Sequence, residues 1–243
     1  MKIKHVFDYI LDTLFPPHIK CIFCGAEISE KNEYDCCQRC LKTLPKIKDN
    51  YCQKCGAQEC DDFVGVCMSC KKSNFNFESA RSVFKYCDNV SKTILQLKFG
   101  SGKYLIKPLS NFMSEYLKTL DWEYDFICFV PMHENGLKKR KFNQAEELAK
   151  FIGKNVNKPV INIFSKTKDT KNQAQLNSAQ RKTNLKDAFK LNMKNCANKS
   201  FVIIDDVFTT GSTTNELAKL LKEKSAKNVY VLTLAHSCLQ TNI

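Results

Sequence analysis

The segment Phe201-Val-Ile-Ile-Asp205-Asp206-Val-Phe-Thr209-Thr210-Gly211-Ser212-Thr213-Thr214 runs from apolar residues through two adjacent acids to a hydroxyl-rich loop. A buried strand ending in carboxylates sets them at the C-terminal edge of a parallel sheet, where open α/β folds bind ligands. The loop Thr209–Thr213 has short side chains and one glycine. Its backbone N–H groups can therefore close around a phosphate at the start of a helix, with the hydroxyls as further donors. Acids beside a phosphate site look contradictory until a sugar is placed between them. Asp205 and Asp206 can accept hydrogen bonds from ribose hydroxyls while the loop holds the 5′-phosphate. The competing account, an N-capped helix after a buried strand, leaves the paired acids unexplained.

A second chemistry is written in the cysteines, ten of whose fourteen fall between Cys21 and Cys70. Cys21-Ile-Phe-Cys24-Gly25 precedes Cys37-Gln-Arg-Cys40, and Cys52-Gln-Lys-Cys55-Gly56 precedes Cys67-Met-Ser-Cys70. Twelve residues separate the first two pairs and eleven the second two, so one unit is written twice. Two residues between cysteines let both thiolates of a tight turn reach one ion, and the glycine relieves the turn's backbone. Four thiolates close a tetrahedral shell, which predicts two structural Zn2+ sites rather than catalytic ones. A disulfide framework suits secreted proteins, and nothing at the N-terminus reads as a secretion signal. Iron–sulfur ligation is the other alternative. Sequential and interleaved pairing of the cysteine sets both remain open. Cys36 and Cys60 are spare, although Cys36 could replace Cys37. Cys87, Cys128, Cys196 and Cys238 are isolated and read as small core residues.

A third feature is the run Lys138-Lys139-Arg140-Lys141, which follows the strand end Val130-Pro131 and precedes a helix opening at Asn143. A diphosphate leaving group needs such a positive surround, and Arg140 is singled out because a guanidinium forks onto phosphate. For any one lysine, a solvated basic loop is the competing account. Gly100-Ser-Gly102-Lys103 mimics the end of an ATP-binding P-loop. That motif needs Gly five residues before Gly102 and Ser or Thr after Lys103, where Leu97 and Tyr104 stand.

Positioning these groups requires a sheet. From about residue 80 the chain alternates apolar strands with amphipathic helices, the pattern of a parallel α/β fold. Strands are predicted at 82–86, 126–131, 160–164, 201–205 and 229–234, and helices at 90–97, 105–120, 144–155 and 212–224. The non-periodic stretch 165–186 reads as a long loop able to close over a ligand. Three units follow: an amphipathic helix over 1–20, a cysteine-rich ribbon over 21–78 and an α/β domain over 79–243. The chain has 243 residues and a formal charge of +13, from 38 Lys and Arg against 25 Asp and Glu. A polyanionic partner fits that balance, as does a Lys-rich composition without function. No window reaches the 18 apolar residues of a membrane span, so a cytoplasmic location is expected. Phe23 and Tyr51 are the only ribbon aromatics singled out for base stacking.

The segment from Phe201 to Thr214 resembles the diphosphate-ribose fingerprint of type I phosphoribosyltransferases. With the double ribbon, the chain is similar over nearly its whole length to the ComF family of ComFC-type competence proteins. Further matching residues are Leu97-Lys98-Phe99 with Lys103, Val130-Pro131, Arg140-Lys-Phe-Asn143-Gln144-Ala145, and the spaced Gln173, Leu176, Arg181, Asn184 and Ala188-Phe189. The family pattern has Gly where Lys141 stands and a basic residue near Lys166. The resemblance implies that Asp205 and Asp206 hold ribose hydroxyls and that Thr209, Thr210, Gly211, Ser212 and Thr213 bind the 5′-phosphate of phosphoribosyl diphosphate. With Arg140 the two acids form the implied catalytic set, and Lys98, Lys103, Asn143, Gln144, Gln173 and Arg181 are further pocket candidates. Mg2+ would accompany the diphosphate. The implied role is natural transformation, acting on incoming single-stranded DNA with a ComFA-like helicase. The alternatives are an amidophosphoribosyltransferase-like enzyme of nucleotide metabolism and a ribbon that docks a helicase.

Overall fold

The computed structural model of the chain describes residues 20–28, 32–58, 63–99, 102–168 and 187–237. The helix expected over 1–20, together with Cys60, Gln173, Arg181 and Cys238, lies outside them.

Four strands, β1 (Ser79–Lys85), β2 (Phe126–Phe129), β5 (Phe201–Phe208) and β6 (Val229–His236), form one parallel sheet in the order β1-β6-β5-β2. Strands buried on both faces need apolar residues at successive positions, and Phe201 to Ile204 supply them in the interior of the sheet. Successive side chains alternate between faces. Val202 and Ile204 pack with Leu97, Leu109, Met113, Leu148 and Ile152, while Phe201 and Ile203 pack with Leu217, Ala218 and Leu221.

The first face is covered by helices α3 (Asp88–Phe99), α4 (Ile106–Lys118) and α6 (Gln144–Asn155), with a 3-10 turn at Gly102–Leu105 leading into α4. The second carries α7 (Ser212–Glu223) and an antiparallel pair, β3 (Phe164–Lys166) with β4 (Phe189–Leu191). Three elements differ from the sequence reading, β4 among them, where no strand was expected. The strand expected at 160–164 reduces to one parallel bridge of Val160 with Ile127, after which the chain leaves the sheet to form β3. Helix α5 (Glu134–Arg140) was expected only as a basic loop. It buries no residue, so it carries no apolar period to read.

The ribbon segments, which carry the short helices α1 (Gln38–Thr43) and α2 (Met68–Lys71), precede this sheet and cover its β1 edge. Pro45 and Ile47 exchange backbone hydrogen bonds with Lys85 and Val83, and Ala80 donates to Lys54. An exposed edge strand is a template for unwanted pairing, and this one is covered from within the chain. The two ribbons sit against opposite clusters. Cys21, Ile22, Phe23 and Cys40 join Phe84 and Phe112 on the α4 face, whereas Cys52, Cys55, Cys67 and Cys70 join Phe77 and Phe208 on the α7 face. Phe23 is therefore a core residue, edge-on to Phe84 and Phe112, and is not available for base stacking. The Arg81 guanidinium lies over the Tyr51 ring at 4.6 Å.

Candidate functional site

β5 carries Asp205 and Asp206 to the C-terminal edge of the sheet, two positions before the strand ends at Phe208. The chain then turns through Thr209 and Thr210 to Gly211, which is left-handed at φ 70° and opens α7. A side chain here would collide with its surroundings, because a Cβ would stand 2.5 Å from the Phe208 ring and 3.1 Å from that of Phe75. Thr210 Oγ1 and Ser212 Oγ lie 2.8 Å apart, and Thr214 Oγ1 donates to the Gly211 carbonyl at 3.1 Å. The first N–H groups of a helix have no intrahelical acceptor, so this turn gathers helix-start donors beside two acids, with the Ser212 N–H resting on Thr210 Oγ1 at 3.4 Å.

Electrostatics distinguish the two acids. Asp206 is paired at 2.9 Å with the Lys98 ammonium, which projects from the last turn of α3. Asp205 accepts the Asp206 N–H at 2.8 Å. Burial, then the neighbouring Asp206 charge, pushes its carboxyl up to about 7, against the opposing pull of the Asp206 N–H, Lys98 and Lys166. Near neutral pH Asp205 thus exchanges a proton, a property its residue type does not announce. Lys166, at the end of β3, acts on the same carboxyl from across the fold.

The matched segment from Arg140 to Ala145 does two jobs. Asn143 caps α6 by accepting from the Ala145 N–H at 3.1 Å, and its amide donates to the Val130 carbonyl at 3.0 Å, fixing the helix to the end of β2. Gln144 is buried, donates to the Leu97 carbonyl at 3.5 Å and accepts from Arg140 at 3.3 Å. Both side chains position neighbouring elements. Arg140 lies with its guanidinium over the Phe99 ring at 4.9 Å. Lys141 closes α5 in the left-handed region at φ 67°, its N–H bonded to the Leu137 carbonyl at 2.7 Å. This backbone conformation gives a physical reason for glycine at that position. Lys103 is exposed on the 3-10 turn and forms no ion pair with either acid among the described residues. The structure therefore brings Lys98, Asp205, Asp206 and the 209–213 turn together, with Lys166 as an addition, and sets Asn143 and Gln144 behind them.

The cysteines form two groups of four, Cys21 with Cys24, Cys37 and Cys40, and Cys52 with Cys55, Cys67 and Cys70. Pairing is sequential, and Cys36 stands outside, its thiol donating to the Cys37 carbonyl. Within each group all ligand atoms lie within 4.8 Å of one another. Cys24 and Cys37 sulfurs are 3.7 Å apart and those of Cys55 and Cys67 are 3.9 Å apart. Zn–S bonds of about 2.3 Å give tetrahedral S···S edges of about 3.8 Å, so the donor set and its span fit Zn2+. Cys55 and Cys67 donate backbone N–H groups to the Cys52 sulfur at 3.5 and 3.3 Å. Gly25 and Gly56 are left-handed at φ 74° and 72°, and the flanking bridges Lys20–Glu27 and Tyr51–Gln58 repeat the same fold of the chain.

Comparison with known proteins agrees with both halves. Residues 10–71 match the double zinc ribbon domain and residues 136–240 the phosphoribosyl transferase domain. The chain is 27% identical to competence protein F of Haemophilus influenzae over 90% of its own length and 98% of that protein's. It is also 27% identical to competence protein ComFC of Streptococcus pneumoniae, over 89% of this chain and 99% of that one. The DNA utilization protein YhgH of Escherichia coli K12 is 29% identical over 83% of this chain and 88% of its own. Among solved structures, the glutamine phosphoribosylpyrophosphate amidotransferase of B. subtilis aligns at 16% identity with a TM-score of 0.41, covering 57% of this chain and 30% of that one.

Proposed function

We propose that this chain, which carries the paired zinc ribbons and phosphoribosyltransferase-like domain of the ComF family, binds phosphoribosyl diphosphate or a related ribose 5-phosphate and acts on single-stranded DNA during its uptake. One observation carries the ligand reading: Asp205 and Asp206 stand at the end of a buried parallel strand beside a left-handed glycine turn that opens a 12-residue helix. Hydroxyl acceptors beside anion donors suit a sugar phosphate. The role in DNA uptake is supported by the relatives named for competence and DNA utilization. Basic composition supports a polyanionic partner. No helix among the described residues is long and apolar enough to cross a membrane, which is consistent with a cytoplasmic protein that receives the strand, alone or from a helicase.

In this reading the turn 209–213 holds the 5′-phosphate and the two acids accept the ribose hydroxyls. Lys98 neutralises Asp206 in the unliganded site and is within reach of an incoming anion. Asp205 and Asp206 are the hard oxygen donors that would hold Mg2+, which when bound would supply positive charge against the diphosphate leaving group. Arg140 and the lysines of α5 would surround the diphosphate.

Isothermal titration of the intact protein with phosphoribosyl diphosphate and Mg2+ tests the ligand. Saturable binding is expected, weakened by at least about tenfold in Asp206→Ala, since charge-assisted hydrogen bonds contribute about 1.5–3 kcal/mol. If the wild-type protein takes up no ligand, the sugar-phosphate assignment is wrong.

A further inference from the structure

Phe99 is the most exposed aromatic ring among the described residues, at 68% of its full accessibility, although it ends a helix that buries Val90, Ile94 and Leu97. One side of its ring faces the Arg140 guanidinium at 4.9 Å. That guanidinium is held by buried Gln144, which is itself hooked to the Leu97 carbonyl one turn into α3. An aromatic plane backed by a fixed cation is thus presented to solvent, one residue beyond the Lys98 that pairs with Asp206.

The contact joins two stretches of chain that contain no acid. Residues 89–114 carry Lys92, Lys98, Lys103 and Lys107, and residues 135–145 carry Lys138, Lys139, Arg140 and Lys141. The two stretches that the Phe99–Arg140 contact joins thus carry eight cations and no acid, and the one ion pair shown for them among the described residues is that of Lys98 with Asp206. The partner that matches this surface must be a polyanion with flat apolar faces accessible for stacking.

We propose that Phe99, backed by Arg140, is a stacking platform for an unpaired base of single-stranded DNA whose phosphates follow the lysines of α5 and of the 3-10 turn. The inference rests on the reading of the chain as a DNA-handling protein, and it gives the strand a path that passes the mouth of the ribose-phosphate site. Every base offers a π-face, so the platform is tolerant of sequence, and a duplex does not reach it because its bases are already stacked. Leu95, one turn before Phe99 on the same face, is exposed too and can continue the apolar track toward the next base.

Fluorescence anisotropy of the full-length protein with a labelled oligothymidylate, and with an abasic deoxyribose-phosphate strand of the same length, separates stacking from charge. The wild-type protein is expected to bind the thymidylate tighter than the abasic strand. Phe99→Ala should lose about tenfold in affinity for thymidylate, remove that preference and leave the salt dependence unchanged, while Phe99→Trp restores binding. The double variant Lys138→Ala, Lys139→Ala should instead reduce the log–log salt slope by up to about 1.4 for either strand. Phe99 is exposed, so an unchanged melting temperature in Phe99→Ala guards against misfolding. Wild-type affinity in Phe99→Ala, or equal affinity for the abasic strand, overturns the platform while leaving DNA handling intact. No binding of either strand by the wild-type protein overturns both the platform and the DNA-handling role.

Discussion

Asp205 is held where its charge is costly. With its carboxyl pushed up to about 7, the native state binds a proton that the unfolded chain, at an ordinary carboxylate value near 3.8, has already released. Stability contributed by that proton is complete at acid pH and is lost as pH rises through about 7. Asp205→Asn keeps the acceptor for the Asp206 N–H and removes the charge. The variant is therefore expected to be more stable than wild type by on the order of 2 kcal/mol at pH 8, with the gain shrinking toward pH 5. Urea unfolding across that range measures it, and a gain independent of pH would show that Asp205 does not titrate there. The same variant should bind ribose phosphate less well, the usual exchange of stability for function at a site. Sequence order disclosed the two acids because they are adjacent. It could not disclose that Lys98 would pair with one of them, because that contact closes between a helix and a strand far apart in the chain. Lys141 shows the converse: a departure from glycine noticed in the sequence acquires a meaning only with its left-handed backbone at the end of α5.

Among the elements, those with many buried side chains were legible and those without were not. Helix α6 was expected at 144–155, where the structure has Gln144–Asn155, because Leu148, Ala149 and Ile152 mark one face at helical spacing. β5 runs beyond its expected end, through both acids to Phe208, since pairing with β6 continues past the apolar run. α5 and β4 were missed because the first buries nothing and the second is three residues long. The turn between β5 and α7 was expected to have room for a ligand because its side chains are short and one residue is glycine, and the structure gives that glycine a more specific reason. Gly211 is left-handed and its missing Cβ is the space filled by the Phe208 and Phe75 rings. Gly211→Ala should cost about 2–4 kcal/mol, from the left-handed backbone and the overpacking together. Gly25→Ala, at φ 74° but with nothing within 4 Å, should cost only about 1 kcal/mol. Equal losses in denaturant unfolding of the two variants would mean that the rings yield and that packing does not shape the turn.

At the scale of the molecule, the two ribbons are alike in sequence but unlike in what they touch. The second tetrad packs with Phe77, which stacks on Phe75 at 4.7 Å and meets Phe208 edge-on at 6.1 Å, and those two rings enclose Gly211. Phe208 also stacks on His236 at 5.0 Å, and its carbonyl accepts the Ser237 N–H at 2.9 Å. Burial pulls the His236 imidazole down to about 4, so at neutral pH this contact is uncharged packing. An unbroken series of ring contacts therefore runs from the second cysteine tetrad to the 209–213 turn. The first tetrad rests on Phe84 and Phe112 behind the opposite face, with Cys24 exposed. Zinc binding in such a ribbon is folding free energy, and its loss is felt by whatever the ribbon supports. Cys55→Ser should release one zinc, speed amide exchange across residues 208–214 and weaken ribose-phosphate binding by about tenfold or more. Cys24→Ser should also release one zinc, yet leave exchange in that turn near wild type and change ribose-phosphate affinity by less than about threefold. Metal content and mass-resolved hydrogen exchange decide this even without a ligand. If the two variants disturb the turn alike, the aromatic series transmits nothing, and both ribbons support the sheet only through the edge they share.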